Sequence, residues 1–438
     1  MGSDRVDRRA WLVVAMLFCF MLVNFADKAV LGLAAVPIMR DLDLDHTQFG
    51  LIGTSFFALF SLSAVLVGFV VNRISTRWVL FAMGLSWAVV QLPMLMPAGV
   101  GLLVANRVLL GIGEGPAYPV ALHNAYTWFP NERRPLPTSL IGLGGAFGVG
   151  IAAPAIVFVI VTFSWRAAFA GLGALGLLWC VVWLLIGREG PLLSRAHGAH
   201  GADHAAAFAA PRVAYRRLLL SRTFVGQVML GFAAYWLLTL AVVWLPAYLT
   251  RGAGYTAVQA GWIVTLPALF QIVLQPLVCA FSERLTRRGV SSRIARGFIA
   301  CLGLFVAGTL AFLLPRAGGT VLPVLCVALA FSSGTMIFVL GHVMVSEITP
   351  PAQRGAMLGM NNAIATLAGP LAPVAMGWVI DSGANAVAGF AAGFTMTGLA
   401  VAAIAVVAAF LIDPGADRAR LLGPQPAAVA GGPLPVVP

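Results

Sequence analysis

Twelve apolar stretches, each long enough to cross about 30 Å of hydrocarbon as a helix, leave this 438-residue chain few ways to fold. They lie near 10–35, 47–71, 78–97, 101–124, 137–162, 167–187, 223–249, 257–281, 294–314, 320–345, 355–380 and 387–412. Backbone groups cannot stay unpaired in lipid, so only helices or a closed barrel will span it. A barrel would show alternating segments of about ten residues, and the sequence has none. Sixty per cent hydrophobic residues, 10% charged residues and a mean hydropathy of +0.95 agree with an all-α membrane protein. The longest interior break runs from Arg188 to Arg222 and divides the spans six and six. The expected organisation is therefore a six-helix half (1–190), a cytoplasmic linker (191–222), a second six-helix half (223–412) and a disordered cytoplasmic tail (413–438).

A net charge of +12 invites a nucleic-acid reading, but its distribution argues against that. Of 27 basic residues, 21 fall on the side that holds both termini and the linker, while Arg40, Arg166, Arg251 and Arg316 are on the other. This is the positive-inside pattern of a multi-pass bacterial inner-membrane protein with both ends in the cytoplasm. The first apolar stretch is too long for a cleavable signal peptide. Cys19, Cys180, Cys279, Cys301 and Cys326 lie in apolar spans without metal-ligand spacing. His197, His200 and His204 belong to the solvated linker and lack acidic or thiol companions. No cofactor or metal is expected.

The remaining two basic residues are inside spans. Lys28, the chain's single lysine, follows Asp27 in the first span, and Arg107 precedes Glu114 by seven residues in the fourth. Charges at such depth are costly and usually mark a substrate or ion path. Asn24 and Lys28 share a helix face, as do Arg107 and Glu114, about 10 Å apart along the axis. The four charges sum to zero. Protonation of Asp27 and Glu114 would leave Lys28 and Arg107 to pair with an organic anion, so protons and anion would move together. The alternative is a set of ion pairs that only fixes helix packing. The second half has no such charges. Its polar inventory is Gln271, Gln275, Ser332, Ser333, Thr335, Asn361 and Asn362, and Tyr118, Tyr235, His123 and His342 read as packing residues.

The halves repeat each other. Asn72-Arg73 is echoed by Glu283-Arg284, Pro130-Asn131-Glu132-Arg133 by Pro351-Ala352-Gln353-Arg354, and Ala153-Pro154 by Ala372-Pro373. Two parallel halves of this kind place a substrate site between them near the midplane. Gly68-Phe69-Val70-Val71-Asn72-Arg73 through Arg77, and Arg107 through Gly115, resemble the major facilitator superfamily across nearly the whole chain. Asn24-Phe25-Ala26-Asp27-Lys28, Glu114-Gly115-Pro116-Ala117-Tyr118-Pro119, Trp128-Phe129-Pro130, Trp165-Arg166 and Trp244 through Leu249 narrow the resemblance to the anion:cation symporter family, which includes transporters of hexuronates and galactonate. The resemblance implies proton coupling at Asp27 and Glu114, and substrate binding by Lys28, Arg107, Asn24, Asn361 and Asn362. Gating falls to the loops and helix ends bearing Asn72, Arg73, Glu283, Arg284, Glu347 and Arg354, the last two as an ion pair. Three departures stand out: Asn72 for the family's Asp, Lys28 for its Arg, and Gly142 to Gly148 where a galactonate transporter has glutamine.

The expected function is proton-coupled symport of a small carboxylate or sugar acid by alternating access, by a protein that works as a monomer. An exchanger or proton-driven exporter of the same fold is the alternative. A membrane enzyme would need a catalytic pair, and Glu114 and His123 are about 13 Å apart along the helix. A sensor would usually carry a signalling domain, and none is evident.

Overall fold

A computed structural model describes residues 8–44, 46–57, 59–96, 99–150, 152–192 and 212–423. They are helices and their connections, with no strand among the described residues. Among the described residues, eleven helical segments are long and apolar enough to span a membrane: Arg8–Leu33, Leu51–Val70, Thr76–Leu95, Pro135–Thr162, Trp165–Ile186, Arg222–Val243, Gln259–Arg287, Arg293–Arg316, Val321–Glu347, Pro351–Asp381 and Ala386–Leu411. The fourth of the twelve expected spans is two shorter helices, Val100–Glu114 and Ala117–Ala125, broken at Gly115-Pro116. Asn106, Arg107, Glu114, His123 and Asn124 also make it the most polar of the twelve. The tenth span breaks at the repeat-related position, between Val321–Ser333 and Met336–Glu347.

Side-chain caps set several helix starts. Ser164, Ser221 and Asn385 accept from the N–H three residues on, and Thr256 with Gln259 forms a capping box. One expectation needs correcting. The tail past Asp413 begins as a helix, Pro414–Leu422, because Asp413 caps it and Asp417 accepts from the Thr223 amide at 2.7 Å. The end of the linker is also structured: Tyr215–Leu219 is helical, and Gln353 clasps the Val213 N–H and C=O at 2.9 and 2.7 Å. The three linker histidines and the remainder of the tail lie outside the described residues.

Burial is uneven along the bundle axis. At the end holding the linker, one buried cluster draws on both halves, joining Val14, Tyr126 and Phe129 to Val343, Ile348, Met357 and Leu358. At the opposite end, Val30, Ile38, Ile52, Leu103 and Phe169 form a cluster from the first half alone. The other large cluster belongs to the second half alone. Glycine makes the joint at the linker end possible. A Cβ on Gly68 would stand 2.8 Å from the Gly355 carbonyl and 3.1 Å from the Ala356 Cα, so the second and eleventh spans touch backbone to backbone. Gly359 meets the Ala64 carbonyl in the same way. The halves are thus closed together at the linker end.

Candidate functional site

Lys28 and Glu114 meet at the break in the fourth span. The Lys28 Nζ lies 3.3 Å from Glu114 Oε2 and donates to Asn24 Oδ1 at 2.5 Å. The Asn24 contact follows from their four-residue spacing on one helix. The ammonium also lies 4.3, 5.5 and 5.8 Å from the ring centres of Phe25, Phe60 and Phe56, within cation–π range. Gly111 and Gly115 explain two of these rings. A Cβ on either would strike the Phe56 or Phe60 carbonyl, so their absence lets the fourth span lie against the second. Glu114 is buried, whereas the Lys28 side chain is 23% exposed. Among the described residues, the Glu114 carboxylate has no hydrogen-bond donor besides the Lys28 ammonium, and Asn24 Nδ2 has no partner.

Asp27 belongs to a separate network. Gln91 Nε2 donates to its Oδ1 at 2.9 Å, and Asn106 Nδ2 reaches the Val90 carbonyl at 2.8 Å and Gln91 Oε1 at 3.5 Å. Arg107 donates through Nε and Nη2 to Asn106 Oδ1 at 3.0 and 2.8 Å, and through Nη1 to the Asp27 carbonyl at 3.2 Å. Its guanidinium lies 5.0 Å from the Phe169 ring centre. The four charges therefore divide in two: Lys28 faces Glu114 rather than its sequence neighbour, and Arg107 bonds the Asp27 carbonyl directly and reaches its carboxylate through the Asn106 and Gln91 amides. Gln91 and Asn106 were missed by sequence reasoning. An inventory of amides inside the first-half spans, like that made for the second half, would have found them.

The second half presents neutral groups. Asn362 Nδ2 donates to the Gly115 carbonyl at 3.4 Å, next to Glu114. Asn361 Nδ2 is 3.4 Å from His342 Nε2, and its Oδ1 has no partner among the described residues. His342 Nδ1 lies 2.7 Å from the Phe338 carbonyl, to which Tyr118 also donates at 3.3 Å. Gln271 donates to Gln275, whose own amide is 3.5 Å from the Ser139 carbonyl. Gly142, in the stretch where a galactonate transporter has glutamine, faces Tyr118 Oη and Gln275 Nε2. Asn362 thus joins the Lys28–Glu114 region directly, and Asn361 stands beside it on the same helix, bonded to His342.

The model of the Major Facilitator Superfamily matches residues 16–285 and 228–437. The chain belongs to the major facilitator superfamily. Similar proteins include the probable galactarate/D-glucarate transporter of Escherichia coli (strain K12), 24% identical over 416 residues, covering 86% of this chain and 91% of the relative. The probable sulfoacetate transporter of Cupriavidus necator is 27% identical over 392 residues, covering 86% and 89%. The hexuronate transporter of Bacillus subtilis is 25% identical over 376 residues, covering 84% and 87%. Among solved structures, a proton:xylose symporter of the superfamily superimposes with a TM-score of 0.72 at 15% identity, over 91% of this chain and 94% of that one. The fold is the twelve-helix major facilitator fold, and the protein is a multi-pass membrane protein.

The linker-end contacts of this superfamily member differ in their pairing from the sequence expectation. Asn72 Oδ1 accepts the Gly355 N–H at 2.9 Å and joins the halves without a charge. Arg73 is exposed. Glu283 pairs with Arg287 one turn along its own helix. With the exposed Arg284, Leu136 and Ala280, these two line a recess of about 380 Å³. Glu347 does not pair with Arg354, which begins the helix after the turn. It takes Arg296 Nη1 at 2.5 Å and Ser292 Oγ at 2.6 Å, because the start of the ninth span packs beside it. Arg296 then crosses to Asn131, donating to its side-chain oxygen at 3.0 Å and its carbonyl at 2.5 Å. Arg134 crosses the other way to Ser346 Oγ at 3.1 Å. Arg134 and Arg296 are seam residues that sequence reasoning counted only as cytoplasmic charges, and Asn131 entered it only as part of a repeated motif.

Proposed function

We propose that this protein is a secondary transporter of small organic acids, coupled to protons, in the inner membrane with both termini in the cytoplasm. The observation that carries the reading is the Lys28–Glu114 pair, a buried carboxylate 3.3 Å from a part-exposed ammonium at a helix break between the halves, with no other hydrogen-bond donor on it among the described residues. In an apolar span this is an expensive arrangement unless the pair is meant to open. Similarity to galactarate/D-glucarate, sulfoacetate and hexuronate transporters supports an organic anion as cargo.

In this mechanism a proton on Glu114 releases Lys28 to the carboxylate of the substrate. A second proton on Asp27 leaves Arg107 as the counter-charge behind it. Asn24, Asn361 and Asn362 offer hydrogen bonds to the rest of the molecule. Closure at the linker end corresponds to the outward-facing arm of alternating access, and Asn72, Arg134, Arg296 and Glu347 hold that closure. Proton loss on the cytoplasmic side restores the Lys28–Glu114 pair and expels the anion. Each subunit carries a whole site and works alone.

The test uses proteoliposomes with an internal pH dye and a panel of carboxylates added outside. Acids that are substrates should acidify the lumen beyond the leak of empty liposomes. Asp27→Asn should abolish proton-driven accumulation while leaving exchange of internal for external substrate. Uphill uptake persisting in Asp27→Asn would remove Asp27 from the coupling. Strict exchange without acidification would replace symport by antiport on the same fold.

A further inference from the structure

Past the break in the tenth span, His342 makes two ring bonds, and both go to neutral groups. Its Nδ1 lies 2.7 Å from the Phe338 carbonyl, and its Nε2 lies 3.4 Å from Asn361 Nδ2. With no carboxylate on either nitrogen, inside an apolar span, the imidazole is neutral. A carbonyl only accepts, so Nδ1 carries the ring hydrogen and Nε2 is left as the acceptor. The Asn361 amide therefore has one orientation. Its Nδ2 donates to His342, and turning it over would set Oδ1 against the Nε2 lone pair. Tyr118, from the first half, packs edge-on against the imidazole with 5.1 Å between ring centres, and donates to the same Phe338 carbonyl at 3.3 Å. His342 and Asn361 are both buried. The Asn361 Oδ1 that this arrangement leaves over accepts from nothing among the described residues. The next residue, Asn362, donates to the Gly115 carbonyl beside Glu114, so the orphan acceptor sits on the stretch of helix that borders the Lys28–Glu114 region.

A buried carbonyl oxygen is costly when nothing donates to it. His342 keeps the Asn361 oxygen in that state by occupying the other end of the amide. We propose that His342 is a positioning residue that fixes Asn361 as an acceptor toward the substrate, and so selects acids that carry a hydroxyl. This rests on the organic-acid reading above, in which Asn361 meets the cargo. A hydroxyl donates to Oδ1 and leaves no polar atom there unpaired. A ketone or a second carboxylate is itself an acceptor and is repelled at the same point. A methylene leaves the oxygen bare, which is how a site built for a hydroxyl rejects the analogue without one. The histidine that reads as a packing residue in the sequence thus gains a role from its two ring nitrogens, which point one to its own helix and one to the next.

The test is calorimetric binding of matched acids to the full-length protein in detergent: malate with succinate, galactarate with adipate, and lactate with propionate. In wild type the hydroxylated member of at least one pair should bind at least about fivefold tighter. His342→Phe keeps a ring against Tyr118 but frees the Asn361 amide to turn, and should bring that ratio to about one. His342→Gln, whose Oε1 can accept from Asn361 Nδ2, should restore it. A histidine that only packs would weaken both members alike and leave the ratio as it was. If His342→Phe does not fold, the nitrogen-15 resonances of His342 in wild type, assigned through His342→Gln, should show a protonated Nδ1 and a bare Nε2. A ring protonated at Nε2, an unchanged ratio in His342→Phe, or equal binding within every pair would each overturn the proposal and leave the organic-acid reading standing. Binding of none of the six acids would overturn that reading and the role of His342 together.

Discussion

Replacing Glu114 by Gln keeps the shape of the side chain and removes one charge from a balanced set. In the native protein the Lys28 ammonium faces that carboxylate at 3.3 Å and is 23% exposed. Coulomb's law at this distance gives about 1 kcal/mol at the dielectric constant of water and about 5 kcal/mol at an effective value near 20. The exposure of Lys28 pulls the answer toward the smaller figure. A substrate anion must displace Glu114 from Lys28 at neutral pH, so losing the competitor should raise anion affinity by at least about fivefold, the equivalent of about 1 kcal/mol. The substrate would no longer need a proton to clear Lys28, so affinity should also lose most of its dependence on pH. Two assays read these effects separately: substrate binding to purified protein across pH, and accumulation in proteoliposomes under an imposed proton gradient. The Glu114→Gln variant should bind tightly at every pH, exchange substrate, and fail to accumulate it. Unchanged affinity, or accumulation equal to wild type, would refute both the competition and the coupling role of Glu114.

Other consequences follow from the joints of the bundle. Gly68→Val forces side-chain atoms against the Gly355 carbonyl and Ala356 Cα; it should part the halves at the linker end, raise cysteine labelling of the seam from that side and lower uptake, and normal labelling would count against closure there. Asn72→Asp puts a full negative charge on the Gly355 N–H at the start of the helix Arg354–Thr366, which should add about 0.3–1 kcal/mol, seen as a higher melting temperature with slower turnover. Trp165 and Arg166 donate at 2.8 and 2.9 Å to Asp41, which lies outside the spans, and hold its carboxyl below the usual carboxylate range. A lowered folded pKa contributes stability above the unfolded value, about 3.9, and loses it as pH falls through the folded value. Asp41→Asn should therefore melt lower than wild type at neutral pH, and the gap should close below about pH 4.

Hydrophobic length and charge bias determined the class of this protein from sequence alone. Backbone amides have no partner in lipid except one another, so runs of apolar residues could only become helices. The 219-residue recurrence of Ala-Pro also anticipated the symmetry now visible in the breaks at Gly115-Pro116 and Gly334-Thr335. Asp27, Lys28, Arg107 and Glu114 were legible because charges in apolar spans have few innocent explanations. Their pairing was not. Adjacent residues on a helix point about 100° apart, so Lys28 turns to Glu114 while Asp27 turns to Gln91, and only helix packing decides what each meets. The seam was hidden for the same reason. Glu347 and Arg354 look like partners in sequence, but the turn between their helices separates them, and the ninth span brings Arg296 to Glu347 instead. Sequence thus marked the four charges inside the spans, while tertiary packing decided what each of them meets and which charges at the linker end are buried.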